Sequence, residues 1–234
     1  MTVLPNARSI APVLYRCLSP RRLHGYLASC QGEAIDAIAL YEWNSQISGA
    51  MWESLGHVEV ALRNSVADQL ELRHGRLSRD GSWLDDPAQE LEAKRRNDIA
   101  RARERIWRNN KEPSDGQTIS ELPFGFWRFL LAKRYATTLW PDLADGFPYA
   151  PGRSRTTIEQ PVQQLHRLRN GIAHRQRIWT EPLNDRWDDI CELLGYIDPA
   201  LRRWVIFNSR VPSVMSTWPT VNPNREDTEL FTMP

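Results

Sequence analysis

Apolar residues recur at spacings of three and four through most of this chain, the period of helices that bury one face. The longest run lies at residues 33–74, which contain no proline. Leu40, Trp43, Ile47, Ala50, Met51, Leu55, Val58, Leu62, Val66 and Leu70 make one stripe there. The spacing predicts one long helix or two stacked ones, with Gly49 and Gly56 as break points. Upstream, Ser19 and Pro20 read as N-cap and first residue of a short helix to Cys30, closed by Gly32.

Downstream the pattern stays helical. Residues 75–86 read as a loop, and Pro87 opens a helix through residue 109. Residues 111–117 form a turn region. The aromatic stretch from Phe124 to Tyr135, within an apolar segment at 122–140, is expected to fill the core. A Gly- and Pro-rich loop at 145–153 precedes a helix over 156–179. Pro182 or Asn184 starts an acidic helix to Leu194, and Asp198 with Pro199 starts the last, to Phe207. No strand-type alternation and no repeat of 20–50 residues appears. The expectation is an all-α fold with a single domain at 18–211, an N-terminal extension at 1–17 and a proline-rich tail at 212–234.

Composition adds little to this picture. The 234 residues suffice for one domain with a substantial core or two small ones. A 41% hydrophobic and 25% charged content is ordinary for a globular chain, and ten tryptophans supply large buried area. Net charge is +1, so any nucleic-acid role rests on local patches. Cys17, Cys30 and Cys191 show neither a disulfide framework nor zinc spacing, which fits a reducing, cytoplasmic setting. No cofactor is expected, and no apolar run reaches the roughly 18 residues of a membrane span.

The segment with most chemical content is Leu168-Arg169-Asn170-Gly171-Ile172-Ala173-His174. Arginine grips phosphate with a planar fork of donors, and histidine exchanges protons near neutral pH. On a straight helix residues 169 and 174 diverge by about 140° at 3.6 residues per turn. They meet at one point only if the helix starts, ends or bends between them, as Gly171 would permit, or if a second subunit supplies the counterpart.

Arg-Asn-x-x-Ala-His resembles the signature of the HEPN superfamily. More of the chain resembles one branch, the Abi-like (abortive infection) proteins of bacteria. The matching segments are residues 39–44 (Ala-Leu-Tyr-Glu-Trp-Asn), 55–64 (Leu-Gly-His-Val-Glu-Val-Ala-Leu-Arg-Asn), 122–130 (Leu-Pro-Phe-Gly-Phe-Trp-Arg-Phe-Leu) and 165–178. The resemblance covers roughly residues 18–212. Abi-like proteins commonly follow the motif histidine with a second His and Glu-Pro, whereas this chain has Arg175, Gln176 and Arg177. What carries over is Arg169, Asn170 and His174.

The resemblance implies a HEPN-like helical bundle with peripheral helices, acting as a metal-independent endoribonuclease and a homodimer with both motifs at the interface. His174 as general base would deprotonate a ribose 2′-hydroxyl. Arg169 would stabilise the charge developing on the phosphoryl oxygens, with Asn170 beside it. An antitoxin or a phage-derived trigger is an implied partner.

Glu59 and Arg63 lie four apart and can pair on one helix face; with Asn64 they are alternatively supporting residues that orient Arg169 or His174. The run at 94–108 holds Arg95, Arg96, Arg101 and Arg105 among its seven cations, against Asp98 and Glu104. It reads either as a solvated face or, with Arg175 and Arg177, as an RNA backbone track. The rival to cleavage is a non-catalytic module that binds RNA, a nucleotide or a partner protein. A purely structural dimerising bundle is the third reading.

Overall fold

The computed structural model describes residues 7–219. Among them lie eleven α-helices and no strand, so the chain is all-α. In order these are α1 (Ala7–Leu18), α2 (Pro20–Ser29), α3 (Ala34–Arg76), α4 (Ala93–Arg108), α5 (Asp115–Glu121) and α6 (Phe124–Leu130). Then come α7 (Trp140–Leu143), α8 (Arg155–Ala173), α9 (Leu183–Ile197), α10 (Pro199–Asn208) and α11 (Val211–Met215). No helix among the described residues is long and apolar enough to cross a membrane.

The long apolar stripe forms one helix, not two. Every residue of the stripe is at most 5% exposed, and α3 runs unbroken through Gly49 and Gly56. A helical glycine costs about 1 kcal/mol, less than burying even one of the large side chains in the stripe. The chain divides into two compact units, the first holding residues up to Met51, Arg177–Trp179 and the residues from Arg210 on, the second Trp52–Gln176 and Thr180–Ser209.

In the first unit α1 packs on α2, and Tyr26, Cys30, Ala37 and Leu40 form a core closed by Leu27, Tyr41 and Trp179. Residues 7–17 of the expected N-terminal extension are thus helical; residues 1–6 lie outside the described residues. Ser19 holds the N-cap position of α2 at a φ of 72°, but its hydroxyl makes no capping bond. The start of the expected tail is also ordered. Trp43 Nε1 donates to the Val214 carbonyl at 2.9 Å, and its ring meets Trp218 edge-on at 4.4 Å. Residues 220–234 of that tail lie outside the described residues.

In the second unit α8 packs on α9 and α6, α9 on α10, and α4 on α5. Ile158, Val162, Leu165, Leu168 and Ile172 give α8 its buried face, spaced for a helix stripe. The helix expected at Pro87 starts only at Ala93, after Glu92. The intervening segment folds around Asp86, whose buried carboxylate accepts from the backbone N–H groups of Glu90 (2.8 Å) and Leu91 (3.0 Å). A buried carboxylate demands such donors, and they are taken from the helical path. Residues 115–121 are helical rather than turn, started by a Ser114–Gln117 capping box.

Candidate functional site

The motif helix ends earlier than its apolar pattern suggests. α8 stops at Ala173, with His174 as its C-cap. The Arg175 N–H donates to the Ile172 carbonyl (2.9 Å) and the Gln176 N–H to the Gly171 carbonyl (2.8 Å), the bond pair of a Schellman motif. Arg175 takes the left-handed C′ position at a φ of 55°, where glycine is usual. No glycine stands there, so the sequence carries no stop signal. Gly171 lies inside the helix, within its last turn. Its missing side chain makes room for Gln176, whose Oε1 would lie 3.1 Å from a Cβ at this position.

α8 ends between Arg169 and His174, and His174 caps it. His174 is exposed at the end of the helix. Arg169 is half-buried, with its Nε 3.7 Å from Glu59 Oε2 and its guanidinium 5.2 Å from the Trp52 ring. Glu59 therefore meets Arg169 rather than Arg63, whose Nε donates to the Asn64 side chain at 3.3 Å. Trp52 is 43% exposed, so its cation–π contact with Arg169 sits at the surface.

Arg169 lines two clefts. One, of 260 Å³, is framed by Trp52, Gly56, Glu59, Val60 and Arg63 on α3. Gly56 borders open space, with nothing within 4 Å of where its Cβ would stand. The other, of 250 Å³, lies among α4, α6 and α8 and is shared with Asn170 and His166. There the Asn170 amide nitrogen is 3.4 Å from His166 Nε2, and the imidazole meets the Phe124 ring edge-on at 5.7 Å. Burial, with the nearby charges of Arg128 and Arg169, holds the His166 pKa below its ordinary value. This imidazole is therefore neutral at pH 7.

The basic run is mostly spoken for. Arg95 is only 2% exposed, paired to Asp98 at 3.1 Å and stacked 4.6 Å from the Phe129 ring. Arg96 meets Asp86 at 3.4 Å, Arg103 meets Asp85 at 2.8 Å and Arg105 meets Glu121 at 3.1 Å. Arg108 pairs with Glu104 at 2.5 Å, and Arg101 is exposed. The run's own two acids understate its neutralisation, because the fold adds Asp85, Asp86, Glu92 and Glu121. Arg175 is exposed beside His174. Arg177 belongs to the first unit, its guanidinium lying over Gly25, where a Cβ would come within 1.2 Å of it.

Trp52, Gly56 and His166 also line the site and are not among the site residues expected from the motif. Their signal was present as helical spacing. His166, Arg169 and Asn170 stand at i, i+3 and i+4, and Trp52, Gly56, Glu59 and Arg63 at steps of four, three and four. Among the described residues no group of three or more His, Cys, Asp or Glu is placed to hold a metal ion. No family model matches this chain, and neither a curated protein nor a solved structure does.

Proposed function

We propose that this protein is a metal-independent endoribonuclease in which Arg169 and Asn170 hold the scissile phosphate and His174 moves the protons. The observation that carries this reading is the shared position of Arg169: one arginine on two clefts of similar size leaves room for a nucleoside on each side of a phosphate. The Arg-Asn-x-x-Ala-His resemblance to HEPN nucleases supports the same roles. Glu59 and Trp52 pre-set the guanidinium, which lowers the cost of ordering it on a ligand.

The reaction balances without a further reagent. The 2′-hydroxyl gives its proton to an imidazole, and its oxygen forms a bond to phosphorus. The bond from phosphorus to the 5′-oxygen breaks, and that oxygen takes up a proton. The products are a 2′,3′-cyclic phosphate and a 5′-hydroxyl. His174 lines neither of the two clefts that Arg169 lines, so in this reading the histidine that serves a given Arg169 comes from a second copy. Phage defence or toxin-type growth arrest is the role that the Abi-like resemblance implies.

The test uses labelled RNA in EDTA, with wild type, Arg169→Ala and His174→Ala. Wild type is expected to leave cyclic phosphate ends, and both variants to lose at least about 100-fold in rate. A strand with 2′-deoxy sugars should resist cutting. The absence of His174 from both clefts that Arg169 lines favours one rival, an RNA-binding module that does not cut. Tight binding with no cleavage by any form would establish that rival and end the nuclease reading. Mixing Arg169→Ala with His174→Ala chains should restore part of the activity if the site is composite.

A further inference from the structure

We infer that the cleft among α4, α6 and α8 is a subsite for one unstacked nucleobase, next to the phosphate held at Arg169. The inference rests on the reading that Arg169 holds an RNA phosphate with a nucleoside on each side, and it specifies which groups recognise the base on the side of α4, α6 and α8.

Four observations carry it. First, the cleft has the wrong size for a large ligand and a suitable one for a single base. Its 250 Å³ falls just below the range of about 300–1,000 Å³ that holds drug-sized molecules. Second, its walls divide by chemistry. Phe124 and the Phe129 ring, which the Arg95 guanidinium covers at 4.6 Å, supply aromatic and planar surface, while the His166 imidazole, the Asn170 amide and the Asp98 carboxylate supply donors and acceptors. A splayed base needs this combination, with stacking on its face and hydrogen bonds along its edge.

Third, Gly125 keeps the cleft open. A Cβ there would stand 3.2 Å from His166 Nε2, so any larger side chain would press into the space beside the imidazole. Fourth, Arg95 lines the cleft with its side chain 97% buried, and its Nε makes no hydrogen bond, lying 3.6 Å from Glu92 Oε1. Buried donors of that kind are costly unless something accepts from them.

Charge selects a neutral base over a second phosphate. Arg95 is countered by Asp98 and Glu92, and Arg169 by Glu59. An incoming phosphate would face the Asp98 carboxylate in the same cleft. The neutral state of His166 gives the base an imidazole able both to donate and to accept.

The experiment measures binding, not cutting. The full chain is titrated with fluorescent 2′-O-methyl tetranucleotides, which cannot be cleaved, and with a series in which one position at a time is abasic. One abasic position is expected to weaken binding about ten-fold or more, the usual size of a lost stacked base. Gly125→Val, checked for folding by its helical circular dichroism and melting, should bind the parent strand as weakly as the abasic one. His166→Ala, which removes no large buried surface, should shrink the discrimination and serves if Gly125→Val does not fold. Equal binding of the parent strand and every abasic strand would overturn the subsite while leaving RNA binding intact. So would a folded Gly125→Val or His166→Ala that discriminates as wild type does. No binding of any strand would overturn the subsite and the RNA reading together, whereas binding without cleavage touches only the nuclease reading.

Discussion

Replacing Glu90 by glutamine should remove a large, pH-dependent share of the second unit's stability. Glu90 sits between two arginines. Arg73 donates to both its oxygens at 2.6 Å, and Arg79 donates to one at 2.5 Å. Arg73 also meets Asp142 at 2.9 Å, so the network ties the end of α3 to α7 and to the loop before α4. Burial alone would raise the Glu90 pKa, but the hydrogen bonds and charges of Arg79 and Arg73 outweigh it and bring it down to about 2. Its side chain is 22% exposed, so solvent screens the pair only in part.

From the ordinary value of 4.5 to about 2, at 1.36 kcal/mol per unit, the linkage corresponds to about 3 kcal/mol. The sign follows from the direction. A carboxylate whose folded pKa is depressed stabilises fully above its unfolded pKa. That stability drains as pH falls from about 5 toward 2. Urea unfolding of wild type and Glu90→Gln at steps from pH 7 to pH 3 checks this. The variant should be weaker by about 2–3 kcal/mol at pH 7, and the two curves should converge as the pH drops. Curves that stay parallel, or a difference under about 0.5 kcal/mol at pH 7, would refute the assignment.

Three further outcomes are expected. Of the three thiols, only exposed Cys17 should react quickly with a thiol reagent at pH 8, since burial pushes Cys30 up and Cys191 up to about 11; urea should release both. Titration of the His166 ring by NMR should give a midpoint below its ordinary 6.5, and Arg128→Gln should raise it without restoring it fully, because burial is the larger cause. Gly146→Ala should cost about 1–3 kcal/mol in a thermal or urea melt, because its Cβ would lie 3.0 Å from the Ser65 carbonyl oxygen, a backbone atom that cannot swing aside.

Helix identity was legible where an apolar stripe decided it. The α3 stripe, Asp198 as the cap of α10 and the buried face of α8 all follow from spacing. Helix ends were less so. Asp86 draws residues 87–92 out of a helical path by collecting backbone donors, and Arg175 closes α8 in a conformation its identity does not advertise. Within the site, the motif gave Arg169, Asn170 and His174, and the i, i+4 pattern contained His166 without marking it.

The sequence by itself determined the helical character of this protein and which face of each long helix is buried. Those properties depend on residues three and four apart, whose relation any helix preserves. Only the tertiary structure decided that Glu59 turns to Arg169, that Arg95 is buried on Phe129, and that acids from outside the basic run neutralise most of it. Those contacts join residues far apart in the chain. Their energies depend on distances and burial that no local spacing encodes.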